Sequence, residues 1–310
     1  MKTIQIAGGE LPVSEISLGC MRITSLTGKE AETLVQTSLE EGINFFDHAD
    51  IYAGGKSEEV FAQAIHMNPA IREKIFLQSK CGICQSDRKN VYFDFSKEHI
   101  LESVDGSLKR LNTDYLDVLL LHRPDALVEP EEVAEAFNIL HRSGKVRYFG
   151  ISNQKPMQIE LLSKYLNQKL IINQLQLSIT NATMISNGIN VNMENACAVD
   201  RDGSILDYCR LNDITIQAWS PFQYGMFEGV FLDNDKFPEL NKKINELAEA
   251  KGVTNSAIAI AWILRHPAKI QPIVGTTNAK RLKDICKASE IELTRQEWYE
   301  IYRAAGNVLP

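Results

Sequence analysis

The sequence predicts an α/β chain folded as a (β/α)8 barrel, and three observations carry that expectation. Short, strongly apolar runs alternate strictly with stretches of helical periodicity. Eight such pairs fit within the 310 residues, which suits a closed barrel of ~250–300 residues better than an open doubly wound sheet. No break in composition marks a second unit, so residues 1–310 read as one domain. Runs apolar on both faces are expected of a parallel sheet covered on both sides.

The opening Thr3–Ile6 and Leu11–Val13, separated by Gly8-Gly9-Glu10, read as an N-terminal β-hairpin. Ile16–Gly19 is the first barrel strand and ends in Gly19-Cys20-Met21. A helix with Ala31, Leu34, Val35 and Leu39 on one face follows, closed by Gly42. The second strand, Asn44-Phe45-Phe46, places its two phenylalanines inside and runs into Asp47-His48-Ala49-Asp50-Ile51-Tyr52, after which Gly54-Gly55 allows a sharp bend. Ser57 is expected to cap a helix with Val60, Phe61, Ala64 and Ile65 inward, Glu59 and Gln63 outward. Ile75–Lys80 is the third strand, and Ser96 caps a helix with Ile100, Leu101, Val104 and Leu108. Tyr115–Leu121 is the fourth strand and stops at His122-Arg123-Pro124-Asp125. A helix over 131–142 ends at Ser143-Gly144; the strand 146–151 leads into Ser152-Asn153, and Pro156 opens the next helix. Strands at 170–175, 214–219 and 273–274, with helices at 205–210, 257–264 and 281–286, complete the alternation. Two connections are long, Cys81–Phe95 and Ser178–Gly203. Both leave C-terminal strand ends, so both are expected to shape a pocket.

Apolar residues make up 44% and charged residues 24%, enough for a full core without staples, and the net charge is −7. That acidity speaks against nucleic acid or a membrane surface as partner, both of which select basic surfaces. Neither a run of about 18 apolar residues nor a cleavable signal pattern is present, which leads to the expectation of a cytoplasmic protein. The six cysteines are expected reduced. Cys81-Gly82-Ile83-Cys84 has the spacing of a redox or zinc motif, but a zinc site wants a second pair, and the sequence holds no other C-x-x-C and no H-x-x-x-H. G-x-G-x-x-G and G-x-x-x-x-G-K-[ST] are also absent, which removes the Rossmann and P-loop routes to phosphate.

On this barrel Asp47, Tyr52, Lys80 and His122 collect at neighbouring strand ends on the face where such folds do chemistry. Each has a plain reading alone: a cap, a packed ring, a solvated amine, a structural imidazole. Together they form a proton donor for a carbonyl. A tyrosine is a weak acid, with an ordinary pKa about 10. Lys80 is expected to lower it, Asp47 to hold Lys80 charged, and His122 to orient the substrate oxygen as neutral imidazole.

The chain resembles the aldo-keto reductase superfamily across its whole length. The resemblance rests on Asn44–Tyr52 with Ser57-Glu58, Phe76–Lys80, Leu116–Pro124, Gly144–Asn153, Asn173-Gln174, Trp219–Phe222 and Ile273–Asn278, in that order and spacing. By this resemblance Asp47, Tyr52, Lys80 and His122 are the catalytic tetrad of a reductase that turns an aldehyde or ketone into an alcohol. NADPH, as NADP+ in reverse, would lie extended across the C-terminal face. Asp47 and Gly19-Cys20-Met21 would lie near its nicotinamide ribose, Ser152, Asn153 and Gln174 on its carboxamide, and Trp219 on its ring. Ser220, Pro221 and Phe222 would meet the pyrophosphate, and Gly275, Thr276, Asn278, Arg281 and Asp284 the adenosine end. Gly275 stands where many members carry lysine, and Asp284-Ile285 where many carry Glu-Asn, so NADH stays open as a second cofactor. His48 replaces a frequent threonine. Oxidation at Cys81 or Cys84 is expected to disturb the adjoining Lys80. The resemblance implies a small-molecule carbonyl partner and a monomer, with weak self-association as the alternative. Two rival functions are a nicotinamide-sensing regulatory subunit of the same fold and an aldolase using Lys80 as Schiff-base nucleophile.

Overall fold

The computed structural model describes residues 1–87 and 90–310. It opens with the antiparallel hairpin β1 (Thr3–Ile6) and β2 (Leu11–Ser14), joined by a short 3-10 turn. In chain order then come β3 (Ser17–Gly19), α1 (Gly28–Glu40), β4 (Phe45–Asp47), α2 (Lys56–Ala64), α3 (Pro69–Arg72) and β5 (Phe76–Cys81). A second hairpin, β6 (Ile83–Asp87) and β7 (Asn90–Phe93), precedes α4 (Lys97–Leu111), β8 (Leu116–Leu121), α5 (Pro130–Arg142), β9 (Val146–Ser152), α6 (Pro156–Ser163) and β10 (Leu170–Gln176). The remainder is α7 (Thr183–Ile189), α8 (Ile205–Leu211), β11 (Thr215–Trp219), the small pair β12 (Gln223–Tyr224) and β13 (Gly229–Val230), α9 (Pro238–Lys251), α10 (Asn255–Leu264), β14 (Gln271–Val274), α11 (Ala279–Cys286) and α12 (Arg295–Ala304).

Strands β3, β4, β5, β8, β9, β10, β11 and β14 close into a parallel barrel in chain order, with β14 returning to β3 through Ile273 beside Ser17 and Val274 beside Leu18. This is the expected (β/α)8 barrel. Strand alternation splits the apolar residues into two sets. Phe46, Leu119 and Leu121 point out to the main core under the helices. Phe45, Val118, Leu120 and Ile172 point into the barrel and meet Ile6, Leu11 and Val13, so the N-terminal hairpin plugs the barrel's lower mouth. Phe45 and Phe46 are therefore both buried but in opposite directions.

Local signals explain most helix starts. Thr27 caps α1 and forms a reciprocal capping box with Glu30, and Ser96 Oγ accepts from His99 N at the start of α4. Ser57 is not a cap. Gly55, at φ 88°, occupies that position, and the Ser57 hydroxyl instead donates to the Met21 carbonyl at 3.3 Å. Helices α9 and α12 were not foreseen, although Thr294 and Glu297 form a capping box and Leu240, Ile244, Leu247 and Ala248 keep helical spacing.

The long connections correct the pocket expectation. The first connection carries β6 (Ile83–Asp87) and β7 (Asn90–Phe93), an antiparallel pair that brings Ile83 to the cleft described below. The 178–203 segment carries α7 and packs toward the C-terminus, with Tyr302 donating to Ser186 Oγ and Asn307 to the Ile179 carbonyl. It lines no part of that cleft; the wall comes from the 223–237 stretch, to which the sequence reading assigned nothing, with Gln223, Phe227, Val230, Leu232 and Asp233. Among the described residues no helix is long and apolar enough to cross a membrane.

Candidate active site

The turn after β4 is held in register with β5 beyond the last ladder residue: His48 N donates to Gln78 O at 2.9 Å and Asp50 N to Lys80 O at 3.0 Å. His122 N does the same to Cys81 O at 2.9 Å. These bonds bring the four strand-end residues together. Lys80 Nζ donates to Asp47 Oδ2 at 2.9 Å, to the His48 carbonyl at 2.6 Å and to the Tyr52 hydroxyl at 3.1 Å. The His122 ring stands edge-on to Tyr52, with centroids 5.9 Å apart. Its Nδ1 is buried and has no hydrogen-bond partner among the described residues.

Burial and charge set the protonation states. Lys80 is fully buried, yet the desolvation that would drive off its proton is outweighed by Asp47 and Tyr52, so its pKa is raised and it stays charged. Burial, followed by Lys80 and Arg123, holds His122 well below the usual imidazole range, leaving it neutral. Tyr52 departs from expectation. Burial raises its pKa, and the opposing pull of Lys80 does not reverse that. The phenol therefore keeps its proton at neutral pH.

Asp47, Tyr52 and His122 floor a cleft of 680 Å³. Gly19, Met21, Ser152, Asn153 and Gln174 line it, as do Trp219, Ser220, Pro221 and Phe222, and at the far end Gly275, Thr276 and Arg281. Cys20, Asn278 and Asp284 are not part of the lining. Cys20 is buried behind the strand end with its thiol toward the Leu18 carbonyl, and Asn278 caps α11 by accepting from Arg281 N at 2.9 Å. Asp284 is tied to Lys280 at 3.0 Å and Lys287 at 3.3 Å. Trp219 Nε1 donates to Asn153 Oδ1 at 3.2 Å, Asn153 donates to Ser152 Oγ at 2.7 Å, and Ser152 donates to the Gln174 carbonyl at 3.0 Å, so this polar wall is prearranged.

Gln78, Gln217, Gln271 and Arg22 escaped the sequence reading, and Gln174 was assigned only to the cofactor. Gln78 and Gln174 both donate to Asp47 Oδ1, at 2.6 and 2.9 Å, and both donate to Gln217 Oε1; Gln217 donates on to Gln271, which donates to the Ser14 carbonyl. Gln78, Gln174 and Gln217 sit mid-strand and Gln271 opens β14; a polar residue in an apolar run was the available signal. Arg22 also lines the cleft and donates to the Gly275 carbonyl, and Arg123 lies 5.4 Å from the Trp219 ring, on which Phe227 stacks at 5.9 Å. His48 is fully buried against Phe61, 4.5 Å between rings, with its pKa pushed down to about 3 by burial and then Lys80; it is a packing residue. Cys81 is likewise buried, and burial raises its thiol well above the ordinary value, which works against a reactive thiolate.

A closed parallel barrel with a polar cleft at its C-terminal strand ends and a buried Lys–Asp–Tyr run beneath it is the construction of a (β/α)8 enzyme. The model of the Aldo/keto reductase family matches residues 15–305, and the chain belongs to that family. It is 37% identical to the uncharacterized oxidoreductase YcsN of Bacillus subtilis, covering 98% of each chain. It is 32% identical to a 6-dehydroglucose reductase of Agrobacterium fabrum, over 96% of this chain and 95% of the relative. The structure of the aldo-keto reductase AKR11C1 from Bacillus halodurans, solved as a holo form, superposes with TM-score 0.74 at 25% identity, covering 100% of this chain and 98% of that one. The chain is thus an oxidoreductase of the carbonyl-reducing kind, and nicotinamide cofactors are those the family uses.

Proposed function

We propose that this protein reduces an aldehyde or ketone to the alcohol with NADPH, and that Tyr52 delivers the proton. The hydrogen-bonded run Asp47–Lys80–Tyr52 beside a neutral His122 carries this reading. A buried phenol that keeps its proton is a poor base but a ready acid. As negative charge develops on a carbonyl oxygen, the proton leaves Tyr52, and Lys80 at 3.1 Å stabilises the phenolate left behind. Asp47 keeps Lys80 cationic, and its own charge is spread over the amides of Gln78 and Gln174. His122, with Nδ1 unpartnered, can present its other nitrogen to the substrate oxygen and fix its approach.

The lining fits a nicotinamide dinucleotide. Ser152, Asn153 and Gln174 offer amide and hydroxyl groups for a carboxamide, and Trp219 offers a flat face. Arg22 and Arg281 give the Gly275–Arg281 end two guanidinium groups, which favours the extra phosphate of NADPH over NADH even without a lysine at 275. The cofactor, when bound, supplies the hydride. The chain acts as one domain on a small-molecule carbonyl.

The test is Tyr52→Phe, assayed for carbonyl reduction and for NADPH binding through tryptophan fluorescence. We expect turnover to fall by about 10²–10⁴ with binding kept. Retained turnover would end the assignment, and a wild type that binds NADPH but reduces no carbonyl across a varied panel would favour the cofactor-sensing alternative.

A further inference from the structure

The C-x-x-C spacing has a partner fifteen residues downstream. Cys84 Sγ on β6 lies 3.5 Å from His99 Nε2 and 3.9 Å from its Nδ1, while Cys81 is sealed in the outer core and takes no part. Asp94, just beyond β7, brings a carboxylate to the same place, and one ligand atom from each of Cys84, Asp94 and His99 lies within 4.8 Å of the others. All three residues are half-buried, which leaves an entry path from solvent. We propose that Cys84, Asp94 and His99 form a binding site for a divalent cation of the zinc class.

The donor set and the spacing both support it. Thiolate, imidazole and carboxylate are the three side chains that zinc takes, and three protein donors leave a fourth position for water. Zn–S of about 2.3 Å and Zn–N of about 2.0 Å in a tetrahedron put the sulfur and nitrogen about 3.5 Å apart; here Nε2 lies at 3.5 Å and Nδ1, the nitrogen offered to the cation, at 3.9 Å, so a small ring movement completes the fit. Asp94 must close by a side-chain rotation. Its Oδ1 accepts from Ser96 N at 2.8 Å, and the carboxylate would share itself between Ser96 and the cation. Ser103 Oγ sits 3.3 Å from His99 Nε2, so the ring can donate there and offer Nδ1 to the cation, the outer-shell arrangement that fixes a metal-bound imidazole. Burial raises the Cys84 thiol, and the nearby carboxylates, Asp94 foremost, raise it further, so the cation itself must displace the proton. On binding, the Cys84 thiol releases its proton to solvent, and no electron changes hands.

The site joins hairpin β6–β7 to the first turn of α4. Ile83, the neighbour of Cys84 on the opposite face of β6, lines the cleft. A bound cation therefore braces one cleft wall from behind, at a distance from the tetrad.

Cobalt(II) is the probe, because it reports its own ligands by absorbance. The purified wild type titrated with cobalt should show one equivalent carrying a thiolate-to-metal charge-transfer band and tetrahedral ligand-field bands. Cys84→Ser and His99→Ala should both lose these bands, while Cys197→Ser, at a distant half-exposed thiol, should keep them. Zinc should raise the melting temperature of the wild type and of Cys197→Ser only. The proposal is overturned if the wild type gives no thiolate band, or if either ligand variant binds cobalt with the wild-type spectrum and stoichiometry. Circular dichroism of each variant separates loss of the site from loss of the fold.

Discussion

At the floor of the cleft, Lys80 is wholly buried and donates to three oxygens, and Asp47 beside it accepts from two glutamines. At the Gly275–Arg281 rim, the Arg281 side chain is exposed and has no ion-pair partner among the described residues. The floor is over-determined, so each group there holds the others. At the rim the backbone is tied by Arg22 and Asn278, but the Arg281 side chain itself faces solvent. Removing a floor residue should therefore cost both fold and function, whereas removing a rim residue should cost binding alone.

The largest break is expected from Lys80→Met, which strands a buried carboxylate. Stability should drop by about 3–5 kcal/mol, read from the urea midpoint, and carbonyl reduction should vanish. Arg72→Met sharpens the contrast. Arg72 pairs with Asp117 at 2.6 Å in an equally dry place, but far from the cleft lining. Its stability loss should be comparable, while turnover per folded molecule stays near wild type. If both variants lost turnover alike, the special standing of the Lys80 pair would be gone.

An intermediate effect concerns acid. His48 lies directly under the floor, and its folded pKa of about 3 is below the ordinary value of 6.5. The folded state thus binds fewer protons than the unfolded one below pH 6.5, so this contribution to stability is complete above that pH and is lost as pH falls toward 3. Between about pH 7 and about pH 5 it amounts to about 2 kcal/mol. Denaturant melts of His48→Leu should show a pH slope flatter by that amount, and an unchanged slope would mean the imidazole is protonated without penalty.

The smallest effect belongs to the rim. Arg281→Ala should leave the melting curve unmoved and raise the KM for NADPH by about tenfold, the equivalent of one charge-assisted hydrogen bond of about 1.5 kcal/mol. The KM for NADH should hardly move. Equal weakening of both cofactors would remove Arg281 from phosphate discrimination.

The same contrast explains what the sequence disclosed. Strand-end residues such as Asp47, Lys80 and His122 are placed by barrel geometry, so an apolar run that stops at a polar residue is enough to locate them. The glutamines at 78, 217 and 271 were passed over because each looks like a lone polar residue in an apolar strand, and Gln174 was read only for its place on a carboxamide; their shared meaning lies in mutual contacts across the barrel that no local pattern encodes. The 223–237 wall was missed for another reason: it has little periodicity, and β12 and β13 span only two residues each. Burial, likewise, is a property of the assembled barrel. Residue types alone therefore suggested a lowered Tyr52 pKa where the packed site gives a raised one.

The seam between β14 and β3 bears on how the molecule comes into being. It joins Ile273–Val274 to Ser17–Leu18, so the ring stays open until nearly the whole chain is available. Asp47, Tyr52, Lys80 and His122 all lie in the first half of the sequence and emerge from the ribosome well before the strands that will enclose them. Pairing across so great a separation is slow, because the entropy of closing the loop is lost before the contact is made. Until then the edges of β3 and the latest strand formed stay exposed and able to pair with other chains. A nascent chain halted before residue 271 would carry a complete tetrad on an unclosed sheet, and aggregation, more than any chemistry, would decide its fate.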